Sequence, residues 1–214
     1  MRRLTGPYPE AELLIEVAKA AHRRDHHSIA RLWLTEGIPF AFRDAPALHE
    51  AARAWFARCL GVHPKEVTLI GSARIGFSLA RNTLGKPYGE HSDLDFSAIS
   101  SGLFHEVRRT FEAWAHDYTH RVVVPRNNPE RGYWESNLDF GYTNIPKGFM
   151  DPNKIPLWKR YPVAQNIAQC CWGMRRKLSR MRGAPIVPRV SVRVYRDWAA
   201  FIDQLVVNLR YAVR

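Results

Sequence analysis

The chain has 214 residues, 46% of them hydrophobic, which suffices for one domain with a substantial core, or one domain with a helical extension. Lys and Arg outnumber Asp and Glu by 32 to 20, and this net charge of +12 favours polyanionic partners, chiefly nucleic acid. No run of about 18 apolar residues exists to cross a membrane, and Met1-Arg-Arg-Leu-Thr-Gly-Pro7 lacks the apolar segment of a secretory signal, so a cytoplasmic protein is expected.

Pro9 to Leu34 is predicted as helix, in one piece or two, with Leu13, Leu14, Val17, Ala18 and Ala21 at helical spacing and Gly37-Ile-Pro39 as the stop. Asp44 is placed as the N-cap of the next helix, with Pro46 just inside it and Gly61 ending it. Leu48, Ala52, Trp55, Phe56 and Cys59 share one face of that helix. Residues 1–60 thus form a helical extension ahead of a core at 61–125.

The core opens with Val67-Thr-Leu-Ile70, a β-branched apolar strand that ends in Gly71-Ser72. Gly71 permits a sharp turn and a close ligand approach. If the next residues turn into a helix, their free N–H groups and the Ser72 hydroxyl make a phosphate cradle. The turn-rich segment from Arg81 to His91, carrying Arg81 and Lys86, is predicted as a loop over the site. Ser92-Asp93-Leu94-Asp95-Phe96 then opens a second strand. Strand geometry places Asp93 and Asp95 on one face, roughly 6 to 7 Å apart, with Leu94 and Phe96 pointing into a core. Two carboxylates on one face repel unless a cation or a shared proton relieves them. Mg²⁺ (or Mn²⁺), which takes one or two carboxylates plus substrate phosphates, does this well. An isolated Asp-x-Asp or strand-end glycine is ordinary; a phosphate cradle followed by a carboxylate pair is equipment for moving a phosphoryl or nucleotidyl group.

A helix is predicted from Gly102 to Tyr118, capped by Ser100-Ser101, and a short strand at Arg121-Val-Val-Val-Pro125. Residues 126–160 are rich in Asn, Pro and Gly, too long for a structureless loop. They are predicted as a folded insertion, with a hairpin around Tyr133 to Ile145, serving as a lid or acceptor surface. Tyr133, Trp134, Phe140, Tyr142 and Phe149, mixed with Arg126, Arg131, Lys147, Lys154, Lys159 and Arg160, suit base stacking with phosphate contact; packing into a satellite core is the plainer alternative.

The last segment, 161–214, starts with a helix from Pro162 to Met181. Arg175, Arg176, Lys177, Arg180 and Arg182 place five like charges within eight residues, more than capping a helix C-terminus needs. They form a nucleic-acid-contacting face or a solvated one. Val187 to Tyr195 follows as a strand, with Val190, Val192 and Val194 on one face and Ser191, Arg193 and Tyr195 on the other. A final amphipathic helix starts at Asp197, its N-cap, and runs through Phe201, Leu205 and Leu209. Cys59, Cys170 and Cys171 have neither zinc-site spacing nor a disulfide framework, and no metal role is expected of His22, His26 and His27.

Gly71-Ser72 followed by Ser92-Asp93-Leu94-Asp95-Phe96 resembles the DNA polymerase β-like nucleotidyltransferase superfamily in a stand-alone bacterial-type form, over about 30 of the 214 residues. The resemblance implies an α/β (α+β) fold, with a small mixed β-sheet flanked by helices, and an NTP held by its triphosphate with two Mg²⁺ ions. It also implies in-line attack of an acceptor hydroxyl on the α-phosphate, releasing pyrophosphate. Carried over, Gly71 and Ser72 hold the triphosphate, with Ser92 beside them; Asp93 and Asp95 ligate metal; Arg74, Arg81 or Lys86 neutralises phosphate charge. The gap between Gly-Ser and the first Asp is longer than the family's usual one. The third acid is also missing from the strand at Val190, whose open face offers Ser191 and Arg193; Asp139 and Asp197 are the acids left to complete the site. The expected function is transfer of an NMP from an NTP to a hydroxyl acceptor, nucleic acid such as tRNA among the classes it admits. The rival is a catalytically silent nucleotide- or nucleic-acid-binding protein on the same scaffold, by analogy part of a toxin–antitoxin or phage-defence system.

Overall fold

The structure, a computed structural model, describes residues 3–213; Met1, Arg2 and Arg214, which belong to the N-terminal reading and the last segment, lie outside it. The first helical stretch divides into α1 (Ala11–Ala20) and α2 (Arg23–Leu34), because Ala21 and His22 adopt extended backbone. α3 (Pro46–Leu60) starts with its proline in the first turn and ends at Gly61, whose φ of 66° is the left-handed cap that glycine accepts without strain. Its N-cap is Ala45, not Asp44, which pairs with Arg43 at 3.4 Å.

β1 (Val67–Ile70) leads through Gly71 into a single helical turn, α4 (Ser72–Ile75). β2 (Leu94–Ile99), α5 (Ser101–Thr119), α6 (Asn128–Asn144), β3 (Phe149–Met150), α7 (Pro162–Leu178), β4 (Val190–Tyr195) and α8 (Trp198–Ala212) complete the described chain. The four strands form one mixed sheet in the order β1-β2-β4-β3. β2 and β4 run parallel in the centre, and β1 and β3 are antiparallel to their neighbours. This is an α+β protein with helices on both faces of a small sheet.

Strand alternation sorts the core into two halves. Leu69, Leu94, Phe96, Ala98, Val190, Val192 and Val194 point to one face, where Phe56, Phe111, Trp114 and Met174 of α3, α5 and α7 cover them. Ile70, Ile99, Phe149 and Tyr195 point to the other, against Leu14, Ile29, Phe201 and Leu209 of α1, α2 and α8. That second face is apolar only in part. Towards the start of β2 it carries Asp95, Ser191 and Arg193, and the candidate functional site lies there. No helix among the described residues is long and apolar enough to cross a membrane.

Two expectations for the middle of the chain are corrected. Arg121 to Pro125 forms no strand: Arg121 turns with φ of 57°, and the carbonyl of Asp117 accepts from the N–H groups of Val122 and Val123. Only Val123 reaches the core. The hairpin expected around Tyr133 to Ile145 is helix α6. Asn127 caps it by accepting from Glu130 N–H at 2.9 Å, and Trp134, Asn137 and Gly141, at three- and four-residue spacing, are its buried face. Tertiary packing against α5 overrides the weak helix propensity of Asn and Gly.

The end of α5 is tied to the start of α7 through one carboxylate. Asp117 accepts from Arg160 Nε at 2.5 Å and from the Tyr161 hydroxyl at 3.0 Å. The Arg160 hydrogen bond is the main reason its pKa lies below the ordinary carboxylate range, with help from Tyr161 and against the effect of burial. A depressed folded-state pKa gives stability that is present above the unfolded value of about 3.9 and lost as pH falls through the folded one. Asp117→Asn is therefore expected to lower the melting temperature at neutral pH, with the gap to wild type closing as the solution is acidified below pH about 4. Melting curves across that range check this; a gap independent of pH would show that the charge contributes nothing.

Candidate functional site

The central strands build a polar ladder on one face. Asp95 stands opposite Ser191 and Ser97 opposite Arg193 in the parallel register of β2 and β4. One step earlier Leu94 N–H donates to the Arg189 carbonyl at 3.0 Å, which sets Asp93 beside Arg189. Each aspartate thus has a cross-strand partner. Arg189 donates from Nε and Nη2 to Asp93 Oδ2 at 3.0 and 2.6 Å. The Ser191 hydroxyl donates to Asp95 Oδ1 at 2.5 Å. Burial alone would lower the pKa of Arg189, but the hydrogen bond and charge of Asp93, with Asp95 and Asp151 behind it, raise it overall.

Beside the ladder lies a cavity of about 440 Å³ lined by Gly71, Ser72, Arg81, Asp95 and Arg193, together with Leu79, Leu205, Asn208 and Tyr211. Gly71 (φ 71°, ψ −153°) brings backbone up to the acid: a Cβ there would sit 3.9 Å from Asp95 Oδ2. A side chain at this position would be strained by the positive φ and would touch that carboxylate oxygen. The Arg81 guanidinium lies 5.5 Å from the Tyr211 ring and donates to its hydroxyl at 3.3 Å. Two guanidinium groups, a serine hydroxyl and a carboxylate within one partly apolar cavity suit a ligand that has an anionic end and a flat apolar end.

Of the residues singled out in the sequence, Gly71, Ser72, Arg81 and Asp95 meet in this cavity. Asp93 stands one step along the ladder, held by Arg189, and does not line it. Arg74 is a correction: it is 1% exposed, donates to the Ile38 carbonyl at 2.9 Å and cannot face a phosphate in the cavity. Burial pulls its pKa below the usual guanidinium range. Lys86 is exposed and outside the cavity, because the loop folds on itself: Ser78 N–H donates to the Lys86 carbonyl, and Gly85 N–H to that of Ser78, each at 2.9 Å. Ser92 fixes the same loop by accepting from Gly89 N–H at 3.1 Å. The helix after Gly71 is a single turn, so what it can offer an anion is the Ser72 hydroxyl and N–H rather than a helix dipole.

Neither proposed third acid enters. Asp197 caps α8 through Ala200 N–H at 2.8 Å and holds Arg196 at 2.7 Å; these contacts keep its pKa below the ordinary value, the Ala200 bond foremost. Asp139 is exposed on α6. Among the described residues no three His, Cys, Asp or Glu side chains cluster to hold a metal. Asp95 Oδ2 and Asp93 Oδ1 do have no protein hydrogen-bond partner among the described residues, and two free hard oxygens fit Mg²⁺ completed by substrate phosphates and water. Sequence reasoning missed Arg189 and Asp151. Both owe their place to β4 and β3 pairing across the sheet, which local pattern does not reveal; the prolines before Arg189 and after Asp151 only mark strand limits.

Arg175, Arg176, Lys177, Arg180 and Arg182 are all exposed, at the end of α7 and in the turn beyond it. Arg176 lies over the Trp172 ring at 4.6 Å and Lys177 over Trp55 at 5.0 Å. Compared with known proteins, the chain matches no family model, no curated protein by sequence and no solved structure by fold.

Proposed function

We propose that this chain is a metal-dependent nucleotidyltransferase that moves an NMP from an NTP to an acceptor hydroxyl. The observation that carries the reading is the meeting of the Gly71-Ser72 turn with Asp95 in one cavity, Asp93 standing a ladder step away. In this reading Ser72 and the bare backbone at Gly71 receive the triphosphate, and Arg81 and Arg193 offset its charge. Leu79, Leu205 and Tyr211 give the nucleoside an apolar seat, and Asn208 offers an amide to its polar edge. Mg²⁺ or Mn²⁺ on Asp93 and Asp95 would offset phosphate charge and orient the reacting oxygens. The acceptor oxygen bonds to the α-phosphorus as the bond to the pyrophosphate oxygen breaks, and the hydroxyl proton leaves to solvent.

Calorimetry with each NTP, with and without Mg²⁺, tests binding, and transfer of label from α- but not γ-labelled NTP tests the reaction. Heat of binding that needs Mg²⁺, together with α-label in an acceptor, supports the reading; no binding by any NTP overturns it. A second reading, a binding protein that does not turn NTPs over, is favoured by the Arg189 pair on Asp93 and by Ser191 opposite Asp95 where a further acid would serve. Its mark is binding of nucleic acid that falls steeply with salt and ignores both Mg²⁺ and NTP.

A further inference from the structure

A second concave surface lies on the chain, separate from the nucleotide cavity. Tyr133 of α6, Lys154 of the turn after β3, Trp172 and Arg175 of α7, and Arg189 at the foot of β4 line a groove of about 370 Å³. Its two rings are unusually open: Tyr133 is 51% and Trp172 57% exposed, whereas the neighbouring Trp134 and Trp114 are buried. Both rings carry a cation on the ring face, Lys154 Nζ at 5.5 Å from Tyr133 and the Arg176 guanidinium at 4.6 Å from Trp172. Elsewhere on the surface Arg108, Arg126 and Arg160 are matched by carboxylates. Arg175, Arg176, Lys177, Arg180 and Arg182 have no carboxylate within 4 Å among the described residues, so this face keeps its positive charge. Arg189 belongs both to the groove and to Asp93, which makes the groove continuous with the polar ladder.

We propose that this groove binds the end of a single-stranded polynucleotide, with bases stacked on Trp172 and Tyr133 and phosphates on Arg175, Arg176 and Lys154, and that it delivers the terminal hydroxyl towards Asp93. Exposed rings interleaved with unpaired cations are the means by which proteins hold single strands without reading their sequence. A polyanion without bases uses the cations and leaves the rings idle, so the rings decide for nucleic acid. Asp151 is the one acid among the described residues that lines the groove, and its carboxylate is engaged in capping the turn that carries Lys154, accepting from Asn153 N–H at 3.0 Å. Delivery of an acceptor rests on the nucleotidyltransferase reading; binding of the strand does not.

The test is a fluorescence-anisotropy titration of the full chain with a labelled single-stranded RNA of about ten nucleotides, beside the matching duplex and heparin. Trp172→Ala and Tyr133→Ala are each expected to weaken the RNA about 5- to 100-fold, as loss of one stacked base does, and to leave heparin binding unchanged. Arg175→Ala with Arg176→Ala should reduce the slope of log affinity against log salt by about 1.4. All these side chains are exposed, so unchanged melting curves accompany the loss. Ring variants that bind RNA within about twofold of wild type, or lose heparin equally, overturn the proposal. If no NTP is ever turned over but Trp172→Ala still weakens RNA, the groove stands and only its role as an acceptor site falls.

Discussion

Asp95→Asn is expected to cut nucleotide transfer about a thousandfold or more while the melting temperature stays within about 2 °C of wild type. A loss of that size corresponds to about 4 kcal/mol, within what charge stabilisation at a phosphoryl-transfer centre provides. The substitution is chosen for what it preserves. Ser191 donates its hydroxyl hydrogen to Asp95 Oδ1, and an asparagine oxygen accepts the same bond. What vanishes is the negative charge beside Gly71 and Ser72, the charge that a cation carrying a triphosphate needs. Asp95 is only partly buried, and its backbone is fixed by pairing with Ile70 and Ser191 on either side, so the fold tolerates the change. Asp93→Asn should follow the same direction, and Arg189 is exposed enough that losing its ion pair costs the fold little. The measurements are incorporation of α-label and Mg²⁺-dependent NTP binding for both variants. Transfer by Asp95→Asn at the wild-type rate would remove the nucleotidyltransferase reading, because no other acid among the described residues lines the cavity.

How much of this was legible follows from the range of the forces involved. Local signals were clear. Pro46 and Pro162 open helices, Gly61 and Asp197 cap them, and Val190, Val192 and Val194 take one face of β4 while Ser191 and Arg193 take the other. The same period-two logic put Asp93 and Asp95 on one face and Leu94 and Phe96 in the core. Partners that arrive from far along the chain were not legible. Arg189 is 96 residues from Asp93, and nothing near either residue announces the pair. The place of Arg74 after Gly71-Ser72 suggests a phosphate-neutralising cation, but the one-turn helix aims it inward, at the Ile38 carbonyl. α6 was hidden for a different reason. Its Asn, Gly and aromatic residues have a turn-like composition, and helix is chosen there by what those residues touch.

Two glycines of α6, nine residues apart, show what those contacts are worth. At Gly132 an added Cβ meets nothing within 4 Å, so Gly132→Ala gains helix propensity and is expected to stabilise by about 0.8 kcal/mol, raising the melting temperature by about 2 to 3 °C. At Gly141 the added Cβ would lie far inside contact distance of three carbons of the Phe111 ring. Phe111 cannot yield cheaply. It is fully buried, 5.6 Å from the Trp114 ring and 5.5 Å from Tyr142, so moving it displaces the packing between α5 and α6. Overpacking of this kind costs about 3 kcal/mol, which outweighs the same propensity gain, and Gly141→Ala is expected to lower the melting temperature by about 5 °C or more. Phe111→Leu destabilises on its own by opening a cavity, yet it should cost less in the Gly141→Ala background, where the smaller side chain admits the methyl group. Thermal melts of the four variants test this cycle. If Gly141→Ala stabilises as Gly132→Ala does, the close approach of α6 to Phe111 is absent in solution; if the two losses simply add, Phe111 is not what the methyl group meets.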